Sequence, residues 1–163
     1  LGPLNPLPVD DPNAVLSGFA NPKMGEWINS TLESDLEEKG AYDATAPYRS
    51  GSRLLEAEGG TYLRPTIVHC DSMEHILANR EFLCPYASVV EVPQAEMLRA
   101  IGPTLVVTAI TKDETFKRQL LGASNVERLN IGPISTMKIS WDQPHEGNMF
   151  EFLYKRRSIG MAA

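Results

Sequence analysis

Glu81 is the one side chain whose type and setting suggest chemistry. It sits in Asn79-Arg80-Glu81-Phe82-Leu83-Cys84-Pro85-Tyr86, ahead of a β-branched run and behind an extended stretch, Gly60 to Val68. An ionised carboxylate only accepts hydrogen bonds and can take two hydroxyl donors at once. At a helix–strand junction such a glutamate also reads as a solvated surface residue. The other reactive groups are scattered. Cys70 and Cys84 match no metal-ligand spacing, and His69, His75 and His145 do not complete one. His69 and Cys70 are neighbours, so in a strand they point to opposite faces and cannot share an ion. No nucleophile, base and oxyanion donor fall together in the 163 residues. No catalytic residue and no metal ligand is assigned, and the chain reads as part of a larger catalytic unit.

The elements that must position Glu81 can be read from caps and periodicity. Residues 1–20 carry Pro3, Pro6, Pro8 and Pro12, which predicts an extended arm. Asn21-Pro22 predicts a helix start, Lys39-Gly40 a stop, and Met24, Trp27, Ile28, Leu32 and Leu36 one apolar stripe facing a core. Residues 41–51 read as a polar loop. Ser52 to Glu56 reads as a short strand and Tyr62 to Cys70 as a second, with Pro65 marking an edge or a bulge. Ser72 is placed to cap a short helix over Met73, Ile76 and Leu77. Tyr86 to Val92 reads as a strand and Pro93 to Ile101 as a helix. Thr104 to Thr111 reads as a strand buried on both faces. Asp113 caps a helix closed by Gly122, and Val126 to Ile131 is a last clear strand. This strand–helix alternation predicts an α/β fold with a mostly parallel βαβ sheet flanked by helices. Beyond it, Ser135 to Trp141 reads as a strand, 143–147 as a loop, and Asn148 as the cap of a final helix.

Composition narrows the partners. The charged fraction is 22%, the apolar fraction 42% and the net charge −6. An acidic chain without a basic stripe argues against nucleic acid. Lys155-Arg156-Arg157 reads as a solvated helix end. No apolar run approaches the ~20 residues of a membrane span. Leu1-Gly2-Pro3-Leu4 has neither the charged start nor the apolar stretch of a signal peptide. An opening Leu in place of Met is expected of a processed or cut product. Two unpaired cysteines fit a reducing cytoplasm.

Four stretches then resemble one family in register. Gly60-Thr61-Tyr62-Leu63-Arg64-Pro65-Thr66-Ile67-Val68 resembles the Gly-Tyr-Phe-x-x-Pro-Thr-Val segment of the NAD(P)-dependent aldehyde dehydrogenases. Arg80 to Tyr86 is similar to that family's Glu-Glu-Ile-Phe-Gly-Pro-Val. Leu105 to Asp113 is similar to its Gly-Leu-x-Ala-x-Val-Phe-Thr-x-Asp, and Leu129-Asn130-Ile131 stands where it has a Val-x-x-Asn strand. Gly2-Pro3-Leu4 and the helix over 21–39 also resemble its Gly-Pro-Leu stretch and the helix that follows. The likeness runs to about residue 131; the tail, 132–163, diverges.

The resemblance implies that residues 21–163 are the C-terminal part of an aldehyde-dehydrogenase-like catalytic domain. The nucleophilic cysteine, the general-base glutamate, the oxyanion asparagine and the dinucleotide-binding domain would lie upstream, on the N-terminal remainder. It implies that Glu81 accepts hydrogen bonds from the nicotinamide ribose of NAD or NADP. The substrate would be a small aldehyde, oxidised to an acid or a thioester by thiolate attack and hydride transfer to the cofactor, and the enzyme a possible homo-oligomer. Alone, the chain is expected to be inactive. Three departures stand out. Cys84 replaces a glycine, and Leu83 replaces an aromatic near the nicotinamide. The family's Gly-rich tunnel segment gives way to Trp141-Asp142-Gln143-Pro144-His145-Glu146-Gly147. A non-catalytic binding or assembly module with the same fold, and a reductase making an acyl-CoA or using an acyl phosphate, stand as alternatives.

Overall fold

Asn21 starts the first helix as its side chain requires. Its Oδ1 accepts the Lys23 N–H at 3.1 Å, Pro22 occupies the first turn, and helix α1 runs Pro22–Leu36. The computed structural model describes residues 11, 13, 18–57 and 60–138. They fall into two units that divide between Glu91 and Val92.

In the first unit the buried stripe of α1 is Gly25, Ile28 and Leu32, with Leu36 packed beside it. This corrects the predicted stripe, because Met24 is 40% and Trp27 56% exposed. The cause is close approach. A Cβ at Gly25 would stand 2.8 Å from Thr61 Cγ2 and 3.2 Å from Phe19 Cδ2, so the helix turns its glycine toward the strand and its bulkier neighbours outward. Past the helix, Gly40 turns the chain at φ +101°, where a side chain would be strained. The chain then enters strand β1, Ala41–Asp43, where a polar loop was expected.

Strand β2, Leu54–Ala57, pairs antiparallel with β3, Gly60–Leu63. The single strand predicted over Tyr62 to Cys70 is in fact two. Pro65 has no N–H to give a ladder and restricts Arg64 before it. The chain breaks there, and β4, Thr66–Cys70, joins a different sheet. Its order is β1-β4-β5, with β1 antiparallel to β4 and β5, Tyr86–Val90, parallel to it. The helix predicted after Ser72 is a single 3-10 turn, Ile76–Ala78, and His75 caps it. Ile28, Leu32, Leu63, Val68, Cys70 and Leu77 form the core, with Phe82 and Tyr86 packed against it.

The second unit contains one crossover of the kind that the sequence predicts over 86–131, though of the four strand pairings among the described residues two are parallel and two antiparallel. Helix α2, Gln94–Ile101, precedes β6, Thr104–Ala109; helix α3, Glu114–Gly122, carries the chain to β7, Val126–Ile131, parallel to β6. Asp113 caps α3 by accepting the Thr115 and Phe116 N–H groups. Ala109, Phe116 and Leu120 form its core, with Met97, Leu98, Val107 and Leu129 around them. The expectation of β6 buried on both faces fails. Leu105 is 46% exposed, because the apolar cluster is confined to the far half of the strand. Thr108 instead makes polar contacts: Asn130 Nδ2 donates to its hydroxyl, which donates to the Ile134 carbonyl. Of the strand predicted over Ser135 to Trp141, residues 135–138 form a turn closed by Lys138 N–H on the Ser135 carbonyl. The rest of it, the loop over 143–147, the helix expected from Asn148 and most of the 1–20 arm lie outside the described residues. Phe19, at the arm's end, bridges antiparallel to Thr61.

Replacing Gly25 by valine should push α1 off β3. The expected cost is about 1–3 kcal/mol, read as a lower urea midpoint with an unchanged slope.

Candidate functional site

Glu81 lies on the connection between the 3-10 turn and β5, and it is exposed. Its neighbours are tied down. Asn79 Nδ2 donates to the Met73 carbonyl at 2.8 Å. Arg80 Nη2 meets Asp35 Oδ2 of α1 at 2.8 Å. The Arg80 guanidinium also stands over the Phe82 ring, 5.9 Å from its centroid. Phe82 packs edge-on to Tyr86 at 5.1 Å, and the Tyr86 hydroxyl donates to the Leu77 carbonyl at 2.7 Å. Among the described residues, no hydrogen bond or ion pair engages Glu81 itself. A fixed loop thus presents an open carboxylate, the form in which a pair of ligand hydroxyls could be received. Leu83, two residues on, is 87% exposed.

The thiols are differently placed. Cys70 is buried in the core, and burial, with help from the Asp71 carboxylate, pushes its thiol up. Burial also raises Cys84, against a smaller pull from Arg53. His75 Nδ1 stands 4.0 Å from Cys70 Sγ, but it accepts the Leu77 N–H at 3.1 Å, so that lone pair is spent on the turn. This is not the arrangement of an activated thiolate. His69 stacks on Tyr42 at 5.1 Å, with Asp71 3.6 Å from its Nδ1. No cluster of three metal-ligating side chains occurs among the described residues, and no helix among them is long and apolar enough to cross a membrane. His145 and Glu146 lie outside the described residues.

Sequence reasoning missed a buried charge network in the same unit. Asp43 ends β1, and its Oδ1 accepts the Thr45 and Ala46 N–H groups and the Thr45 hydroxyl. Its Oδ2 meets Arg49 at 2.5 Å and Arg53 at 2.7 Å. Arg53 also reaches Glu33 at 2.8 Å and Asn29 at 3.2 Å on α1, and donates to Thr66 Oγ1 on β4 at 3.1 Å. Burial alone would raise the Asp43 carboxyl. The hydrogen bonds from Thr45, Arg49 and Arg53 outweigh it and hold the group at about 2. Asp43-Ala44-Thr45-Ala46-Pro47 carried a readable signal, since an aspartate two and three residues before free N–H groups is a turn former.

By sequence, no protein-family model and no curated protein matches the chain. The solved structures give a fold. Lactaldehyde dehydrogenase from Escherichia coli superimposes with a TM-score of 0.63 at 15% identity, over 85% of this chain and 28% of that one. An indole-3-acetaldehyde dehydrogenase complexed with NAD+ gives 0.62 at 17% identity, over 85% and 27%. The aldehyde dehydrogenase KauB from Pseudomonas aeruginosa gives 0.59 at 17% identity, over 81% and 26%. The chain therefore has the α/β fold of the aldehyde dehydrogenases over part of their length. It spans little more than a quarter of the solved structures that it matches.

The network sets the acid response. The Asp43 carboxyl stands at about 2 in the folded chain, below its ordinary 3.8. Its contribution is complete above about pH 4 and is lost as pH falls through about 2. Asp43→Asn should flatten the stability profile in that window. At neutral pH it should cost about 3 kcal/mol or more, because two guanidinium groups lose their shared anion. Denaturation midpoints at several pH values measure both.

Proposed function

We propose that this chain supplies the cofactor-facing wall of an NAD(P)-dependent aldehyde-oxidising enzyme of the cytoplasm, with Glu81 as the ligand of the nicotinamide ribose. One observation carries the reading: in a chain of this fold, the loop after the 3-10 turn is anchored on both flanks, by Asn79 and by Phe82, and leaves Glu81 exposed and without a partner among the described residues. An open carboxylate fits a vicinal diol, because both hydroxyls can donate to it without displacing an existing partner.

When bound, the nicotinamide supplies the hydride acceptor for aldehyde oxidation. The chain's own part is orientation. Asn79 and Phe82 hold the loop, one to the Met73 carbonyl and the other to the core, so Glu81 meets the ribose from a fixed position. Preorganised contacts of this kind place reacting atoms without further ordering. No thiol here is set up as a nucleophile, so the reactive sulfur belongs to the N-terminal remainder of the enzyme. The same remainder would complete the pocket for a small aldehyde.

In the intact natural protein, Glu81→Ala should raise the Michaelis constant for NAD(P) about ten-fold or more, the scale of losing a charge-assisted hydrogen bond. The constant for the aldehyde should change little. Steady-state kinetics with each substrate varied in turn decides it, and an unaltered cofactor constant removes the ribose role. The purified 163 residues alone should show no NAD(P)-linked aldehyde oxidation; measurable turnover would overturn the assignment of the nucleophile to another segment.

A further inference from the structure

We propose that Asp35 is a positioning residue: it holds the Arg80 guanidinium away from Glu81 and so keeps the Glu81 carboxylate open to the ribose hydroxyls of a nicotinamide dinucleotide. The proposal rests on the reading of Glu81 given above.

Arg80 and Glu81 are neighbours in the chain. A guanidinium presents five N–H donors in a fork that suits a carboxylate, and an adjacent one is a ready competitor for any ligand of that carboxylate. The structure shows this competition avoided. Arg80 Nη2 is bound to Asp35 Oδ2 at 2.8 Å, and the guanidinium lies over the Phe82 ring. Arg80 therefore shares a side of the connection with Phe82, which packs on the core, while Glu81 remains exposed. The restraint is partly shielded from water, since the Asp35 side chain is 14% and the Arg80 side chain 31% exposed.

Two further observations separate a restraint from a casual ion pair. Arg80 Nε is buried and has no hydrogen-bond partner among the described residues. The guanidinium thus retains an unused donor, and an acceptor such as Glu81 would satisfy it. Asp35 sits in the last turn of α1. A carboxylate is disfavoured there by the partial negative charge of the helix C-terminus. Its cation partner, Arg80, offsets that penalty, so each charge of the pair answers a need of the other. Asp35 touches no cofactor in this scheme; it acts through Arg80.

The test uses the intact natural protein and calorimetric titration with NAD+ and NADP+. Asp35→Asn keeps the shape and removes the charge. It should weaken binding of the preferred dinucleotide about five-fold, as an ion pair of ordinary strength forms between Arg80 and Glu81. The informative variant is the double, Asp35→Asn with Arg80→Met. With the competitor gone, binding should return to within about two-fold of the wild type. Arg80→Met alone should also stay within about two-fold, and Asp35→Glu should behave as the wild type. A purely structural tether predicts the opposite: Arg80→Met as weak as Asp35→Asn, and no recovery in the double variant. Either of those results overturns the proposal, as does an Asp35→Asn protein that binds normally. If Asp35→Asn does not fold, the single Arg80→Met variant still decides between tether and restraint. Glu81→Gln identifies which idea has failed. Weak binding by Glu81→Gln beside normal binding by Asp35→Asn overturns the positioning role alone. Normal binding by Glu81→Gln overturns the cofactor reading, and the positioning role with it.

Discussion

One buried carboxylate holds the first unit together. Asp43 accepts three hydrogen bonds on one oxygen and two guanidinium groups on the other. Through Arg53 the same anion reaches Glu33 and Asn29 on the helix and Thr66 on the central strand. Burying that much charge is unfavourable by itself. The arrangement is viable because both oxygens of Asp43 and all three guanidinium nitrogens of Arg53 have partners, so the pairing terms exceed the desolvation of the carboxyl. Helix, edge strand and central strand are therefore fixed relative to one another by directional contacts as well as by apolar packing.

The helix extends this frame to the candidate site. Glu33 faces the Arg53 network, and Asp35, two residues later, faces Arg80. Successive helical positions point some 100° apart, so residues two apart serve well-separated sides. One helix end thus meets both the charged interior and the guanidinium next to Glu81. Phe82 and Tyr86 complete the attachment from the strand side, with an edge-on ring contact and a hydroxyl on the Leu77 carbonyl. The loop is irregular in backbone yet held at several points along its length. Function is often found on loops of this kind, set by a rigid scaffold.

What could be read in advance follows from how local each cause is. The starts of α1 and α3 were legible because Asn21 and Asp113 act on N–H groups two or three residues away. The β6–α3–β7 crossover was legible from apolar runs and their spacing. Strand β1 was not, since Ala41-Tyr42-Asp43 has no strand pattern and exists through pairing with β4. Pro65 announced a break, but whether it kinks one strand or parts two depends on which sheet receives Thr66. The outward turn of Met24 and Trp27 came from Gly25 meeting Thr61, a contact thirty-six residues distant in the chain. Glu81 was singled out by its motif, while Asp35, the partner of Arg80, looked like any acid on a wet helical face. Its signal was the helix end, where an acid needs a nearby cation.

The length of β1 has a further consequence. Among the described residues it is one of the two border strands of its sheet, and it has three residues. A longer border would offer a row of free amides and carbonyls to another polypeptide. Here Asp43 diverts the chain into a turn at once by taking the next N–H groups for its own side chain. The ion that organises the interior thus also keeps this border short.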